Sequence, residues 1–211
     1  MIKVILASKS PRRKEILERI GVSFETIPSK ADETFLKNEN PQEAVVRIAR
    51  EKAAFVSRQF VDKRNTLIIG ADTVVCLDKT ILGQPKDENE AKSMLKILQG
   101  RSHIVYTGIS LLKNGEDEAD GFSESLVEFY PMTMDEIEWY VRSKEPLDKA
   151  GAYGVQGKGS IFIRKIEGSF HNVMGFPVDL FYKLLKKLNL DLSEICCIVF
   201  LEIYIYKRFL V

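Results

Sequence analysis

Leu6-Ala7-Ser8-Lys9-Ser10-Pro11-Arg12-Arg13 is the stretch from which the rest of the chain can be read. The apolar run before it, residues 2–6, predicts a buried strand. A helix follows at once. Ser10 suits its N-cap, and Pro11 suits the first helical position, where a missing N–H loses no helical partner. Ile16, Leu17 and Ile20 give that helix one apolar face, and Gly21 ends it. A strand therefore feeds through a short polar loop onto a helix N-terminus. Unpaired N–H groups and the positive end of the helix dipole suit an anion there. Ser8 and Ser10 add hydroxyl donors, and Arg12 and Arg13 add guanidinium forks that oppose the dipole unless an anion compensates them. The stretch reads as a phosphate cradle. Taken alone, it equally fits an ordinary capped helix with solvated arginines.

The totals bound what surrounds this loop. A chain of 211 residues is long enough for one large or two small domains with a proper core. A net charge of +1 gives no global attraction to nucleic acid or an anionic membrane, so any anion site is local. Three cysteines, with Cys196 and Cys197 adjacent, make neither a disulfide framework nor a zinc spacing. His103 and His171 are too few and too isolated for a histidine-based metal site. Residues 2–6 are too short for a signal-type apolar core, so a cytoplasmic setting is expected.

Moving outward, residues 24–27 predict a second strand, and residues 29–40 a polar loop holding Asp32 and Glu33. Asn40 caps a long helix with Pro41 at its first position and Glu43 placed as in a capping box. Its apolar stripe is Ala44, Val45, Ile48, Ala49, Ala53 and Val56, which leaves Arg47, Arg50, Glu51 and Lys52 as solvated charges. Residues 66–77 are almost continuously apolar and predict a strand, or two strand halves, in a buried sheet. Asp72 breaks that run. A carboxylate there must face solvent, pair with a cation or bind a metal, because burying it alone is costly. A turn residue is the plain alternative, but the small Gly70 and Ala71 beside it leave room for a ligand.

A turn at Asp78-Lys79 returns the chain as a short strand at 80–82. After the loop 83–86, Asp87 and Glu90 form a capping box for a helix with Ala91, Met94, Leu95 and Leu98 inside. Lys86 sits just before that cap, as a surface lysine or a cation reaching into a cleft. Two strands, 104–113 and 124–130, are joined around Asn114-Gly115 with the acidic connection 116–120 exposed. Thr133 and Glu136 cap another helix. Residues 160–165 and 170–174 predict a hairpin around Glu167-Gly168-Ser169, and Pro177 starts the last clear helix. Residues 195–211 are strongly apolar but interrupted by Glu202 and Lys207-Arg208, and the uninterrupted part is too short to span a bilayer. An extra strand, an interface segment and an aggregation-prone tail all fit them.

The second unusual stretch is 144–159. Gly151, Gly154, Gly157 and Gly159 stand among Lys149, Tyr153, Gln156 and Lys158. Glycines allow close backbone approach to a ligand, yet neither a P-loop nor a dinucleotide fingerprint can be placed here. The stretch fits a flexible surface loop or, with a stacking ring and an amide, a base-recognition loop. The cations Arg12, Arg13, Lys52, Lys86 and Lys149, with the carboxylates Glu33 and Asp72, make a set that suits a Mg²⁺–polyphosphate substrate.

Four motifs in order carry a resemblance. Ser8-Lys9-Ser10-Pro11-Arg12-Arg13, Gly70-Ala71-Asp72-Thr73, Gly83-Gln84-Pro85-Lys86 and the stretch 149–157 resemble the Maf family of nucleoside triphosphate pyrophosphatases, from residue 2 to about residue 189. The resemblance implies an α/β fold like that of inosine triphosphate pyrophosphatases: a long mixed β-sheet flanked by helices, with two lobes and a central cleft. It implies one domain over 1–190 with an atypical apolar tail at 191–211, and hydrolysis of a nucleoside triphosphate to the monophosphate and pyrophosphate with Mg²⁺ or Mn²⁺. By the same resemblance Asp72 is the general base and, with Glu33, a metal ligand. Ser8, Arg12, Arg13, Lys52 and Lys86 fall at phosphate-facing positions. Arg12, Thr73 and Gln156 are similar to the dTTP/UTP branch, whereas a 7-methyl-GTP branch typically carries Trp, Gln and Glu there. An amide at Gln156 both donates and accepts, as the edge of uracil or thymine requires.

The expected partner is thus a nucleoside triphosphate, with no nucleic acid and no membrane, and a homodimer left open. The competing reading is a non-catalytic nucleotide-binding regulator of septum formation. A sugar-nucleotide transferase would need an Asp-x-Asp metal motif after a strand, and the chain has none in that place.

Overall fold

Backbone groups in apolar runs need partners, and here the runs find one another in one seven-stranded sheet. The computed structural model describes residues 2–36 and 39–196. The strands are β1 (Lys3–Leu6), β2 (Phe24–Thr26), β3 (Thr66–Leu77), β4 (Thr80–Leu82), β5 (Ser102–Lys113), β6 (Asp117–Phe129) and β7 (Ile163–Gly168). Their order is β2-β1-β3-β5-β6-β7, with β4 paired to β3. β1 runs parallel to β2 and β3, and the remaining pairings are antiparallel. The mixed α/β architecture expected from the sequence is present.

The helices are α1 (Pro11–Arg19), α2 (Pro41–Ser57), α3 (Glu88–Leu98), α4 (Met134–Arg142), α5 (Phe170–Met174), α6 (Val178–Lys187) and α7 (Leu192–Ile195). The long strands serve two cores. At one end, Leu67, Ile69 and Leu111 pack with Ile16, Leu17, Phe181 and Leu184 from α1 and α6. At the other, Val75, Val105, Val127 and Phe129 pack with Leu95, Leu98, Ile137 and Tyr140 from α3 and α4. These are the two lobes. α2 covers the opposite sheet face, where Val45, Ala53 and Val56 meet Ile5, Ile68 and Val74.

One register detail creates the cleft. β1 stops at Leu6, opposite Ile69. β3 runs on, and β4 joins that edge only at Val75. Residues 70–74 are therefore left with an open edge beside the loop that leads into α1.

Several local expectations change. Residues 170–174 are α5 rather than a hairpin strand, because the Ser169 side chain caps them by accepting from the Asn172 N–H. Residues 117–120 extend β6 instead of forming a loop. Asn114 and Gly115 both take positive φ, which closes a tight turn immediately before them. Asn40 accepts from the Gln42 N–H, with Glu43 not returning a bond. Asp87 accepts from the Glu90 N–H at 2.9 Å, but the Glu90 carboxylate takes the Lys86 N–H at 2.7 Å, one residue before the cap. Thr133 and Glu136 form the full reciprocal box. Of the segment 195–211, Ile195 is buried in the first core and Cys196 bridges to Val22. The rest lies outside the described residues.

Candidate active site

The loop 7–10 and α1 build the first wall. Ser10 occupies the N-cap position without a side-chain bond of its own. Ser8 Oγ does the tying: it accepts from the Ser10 N–H at 3.2 Å and from Arg13 Nη1 at 3.1 Å. Arg13 is buried. Its Nη1 also donates to the Ala71 carbonyl at 2.9 Å, a group on the edge β1 leaves open. Nε donates to the Gly175 carbonyl at 2.9 Å and Nη2 to Thr73 Oγ1 at 3.0 Å. A guanidinium has five N–H donors, and among the described residues these bonds use all but one. Burial pushes the Arg13 pKa down, and the Asp72 and Glu33 carboxylates oppose that shift.

α2 builds the second wall, and two glycines set its height. A Cβ on Gly70 would lie 2.0 Å from the Ala49 carbonyl oxygen, and one on Gly108 2.3 Å from that of Val45. Only hydrogen at these positions lets the helix lie directly on β3 and β5. The next α2 residue over the gap is Lys52. Its place off the apolar stripe predicts a solvated charge, and the structure corrects this: its side chain is 7% exposed. Lys52 Nζ stands 2.8 Å from Asp72 Oδ1 and 3.0 Å from Glu33 Oε2. Gly70 and Asp72 share the α2 face of β3, because alternate strand residues point the same way. Burial raises the Asp72 pKa, while the Lys52 ammonium and the Arg13 guanidinium pull it down. The second Asp72 oxygen accepts no hydrogen bond from the described residues.

The far wall comes from the glycine-rich stretch, which folds as short 3₁₀ turns at Glu145–Asp148, Ala150–Ala152 and Gly157–Phe162. Glu145 fastens it. Its carboxylate accepts from Tyr140 Oη at 3.0 Å, the Gly159 N–H at 3.1 Å and the Lys158 N–H at 2.9 Å. Across the mouth, Arg12 Nη1 pairs with Asp148 at 3.0 Å, and Lys149 Nζ reaches the same carboxylate at 2.6 Å. Tyr153 lies deeper, its hydroxyl 2.7 Å from His103 Nε2.

The cleft so enclosed has a volume of about 550 Å³. It brings together Ser8, Arg12, Arg13, Glu33, Lys52, Asp72 and Thr73, residues far apart in the chain. Lys86 is exposed on the loop before α3, and Gln156 is half-buried just beyond Val155. Neither lines the cleft. Sequence reasoning misses Asp148. Its adjacency to Lys149 within the second unusual stretch is the available signal.

The model of the family described as Maf-like protein matches residues 3–188. The chain belongs to the Maf family. Among relatives, this Maf chain is 45% identical over 195 residues to a dTTP/UTP pyrophosphatase of Bacillus cereus (strain AH820), covering 92% of this chain and 100% of the relative. A protein of the same name from Bacillus anthracis (strain CDC 684 / NRRL 3495) matches at the same identity and coverage. The Maf chain also shares its fold with the Staphylococcus aureus Ham1 protein, at a TM-score of 0.50 and 13% identity over 89% of this chain and 97% of that one.

Proposed function

We propose that this Maf protein hydrolyses nucleoside triphosphates of the dTTP and UTP kind to the monophosphate and pyrophosphate. The observation that carries this is the buried Asp72 carboxylate at the foot of a cationic cleft, with Lys52 between it and Glu33. The names of the relatives support the substrate class. A pure binder has no need of a buried carboxylate with one oxygen left without a hydrogen bond from the described residues, so nothing in the site favours the regulator reading.

The chemistry needs a water oxygen to bond to the α-phosphorus while the α–β anhydride bond breaks and pyrophosphate leaves. Asp72 takes the proton of that water. Burial raises its pKa, which makes it a stronger base, and the Lys52 ammonium beside it favours the ionised form that can accept the proton. Arg12, Arg13 and Lys149 line the cleft, where their positive charge suits the charge that builds on the leaving pyrophosphate. Among the described residues no cluster of three or more His, Cys, Asp or Glu could cage a metal ion. Glu33 and Asp72 instead fit a Mg²⁺ or Mn²⁺ that arrives on the triphosphate, because such an ion takes one or two carboxylates and fills its other positions with phosphates and water. When bound there, the ion supplies charge neutralisation and polarises the reacting phosphate. Lys86 and Gln156 enter the proposal through the family resemblance rather than through their positions. Among the described residues no helix is long and apolar enough to cross a membrane. A cytoplasmic setting belongs to the proposal and rests on the cysteine usage.

The test is pyrophosphate release with Mg²⁺ or Mn²⁺ from dTTP, UTP, CTP, GTP and 7-methyl-GTP, beside Asp72→Asn. Release from dTTP and UTP that falls by about 10²- to 10⁴-fold in the variant is expected, the size of a general-base contribution. Preference for 7-methyl-GTP would overturn the branch, and no release from any nucleotide would overturn the activity.

A further inference from the structure

The contacts of Arg13 do not end at Thr73. Thr73 Oγ1 lies 3.0 Å from Thr107 Oγ1, its partner on β5. Thr107, completely buried, sits 3.0 Å from the Asn172 carbonyl of α5. A carbonyl only accepts, so the single hydroxyl proton of Thr107 is committed to Asn172. Its oxygen must then accept the proton of Thr73. With that proton turned away, the lone pairs of Thr73 face Arg13 Nη2. The direction of the whole chain is thus set from its far end. α5 is itself anchored. Asn172 Nδ2 donates to the Val105 carbonyl at 2.9 Å and to Ser125 Oγ at 3.0 Å, and Ser125 Oγ donates to the Ser169 carbonyl at 3.1 Å. Immediately after α5, the Gly175 carbonyl accepts from Arg13 Nε.

We infer that Thr107, outside the cleft, is a positioning residue for phosphate binding: through Thr73 it orients the Arg13 guanidinium so that its one uncommitted N–H meets the polyphosphate. The inference rests on the proposed pyrophosphatase reading. It also gives Thr73 a task on the phosphate side of the substrate rather than at the base. In Thr107→Val the shape is kept but the acceptor is gone, and the Thr73 proton is free to turn toward the guanidinium. Thr107→Ser restores the chain.

The experiment is calorimetric titration of inorganic tripolyphosphate, which has no base, into wild type, Thr107→Val, Thr107→Ser and Thr73→Val, with steady-state kinetics on dTTP, UTP and CTP alongside. Tripolyphosphate affinity about tenfold weaker in both valine variants is expected, as for one hydrogen bond to a charged group, with recovery in Thr107→Ser. KM should rise by the same factor for all three nucleotides. Unchanged tripolyphosphate affinity in Thr107→Val overturns the inference. If Thr107→Val does not fold, unchanged affinity in Thr73→Val overturns it instead. A change in the ranking of the nucleotides also overturns it. Wild type that binds tripolyphosphate with this variant pattern yet releases no pyrophosphate sinks the proposed activity and leaves the positioning role standing. Wild type that does not bind tripolyphosphate sinks both.

Discussion

Lys52 Nζ lies 2.8 Å from Asp72 Oδ1, and both side chains are more than nine-tenths buried. An ammonium beside a buried carboxylate favours the charged form and so opposes the upward pKa shift that burial causes. Lys52→Met removes the largest influence that lowers the Asp72 pKa. The acid limb of the kcat/KM–pH profile, where Asp72 must lose its proton to act, is therefore expected to move to higher pH. Parallel profiles of wild type and variant check this, and an acid limb that stays in place would show that Asp72 is not the titrating base.

At the mouth, Asp148 occupies both Arg12 and Lys149. Asp148→Asn releases two cations and removes a negative charge from the path of a polyanion. KM for the triphosphate is expected to fall about two- to fivefold at low salt, the scale of an exposed ion pair. The gain should shrink as ionic strength rises. A higher KM in Asp148→Asn would mean that the pair holds Arg12 in its working position.

Gly70 and Gly108 let α2 lie on the sheet. An added methyl has only backbone to meet, so the helix must lift. Gly70→Ala and Gly108→Ala are each expected to lose about 1–3 kcal/mol, the usual range for overpacking, and to lose activity as well because Lys52 rides on the lifted helix. Urea unfolding and kcat together test this. A variant with wild-type stability and wild-type kcat would contradict so close a seat.

His103 is buried among Phe129 and Tyr153, with Nδ1 unpartnered among the described residues. Burial lowers its pKa from 6.5 to about 4. The unfolded chain therefore binds a proton at a pH where the folded one does not. The stability is fully present above pH 6.5 and drains away as pH falls toward 4, by about 3 kcal/mol in all. In His103→Gln the unfolding free energy should be flatter across that window. Curves that run parallel to wild type from pH 7 to 4 would rule the effect out.

Gln156 stands at the position the resemblance assigns to base reading. A carboxylate there accepts but does not donate, so Gln156→Glu loses the bond to a carbonyl on the base. Turnover of dTTP and UTP is expected to weaken. Turnover of both left unchanged from wild type would free Gln156 from that role.

The sequence by itself was enough for much of this protein. The apolar run with Asp72 inside it became β3, the stripe from Ala44 to Val56 became the buried face of α2, and the loop 6–13 led from a strand onto a helix. These follow from side-chain period and capping chemistry, which act over a few residues. Four ordered motifs were likewise legible, because a motif is local. What the tertiary structure decided involves partners distant in the chain. Lys52 looks solvated in the sequence because a helical stripe does not reveal how deeply the helix sinks, and that depth depends on Gly70 and Gly108 in other strands. Residues 170–174 look like a strand because their β-branched and aromatic residues fit one. Yet the Ser169 cap and the Asn172 contacts with Val105 and Ser125 hold a helix instead. Arg13 looks like a free phosphate clamp, until the early end of β1 exposes the Ala71 carbonyl that the guanidinium covers. Local chemistry settles which elements form, and only packing settles which charges are left to meet a substrate.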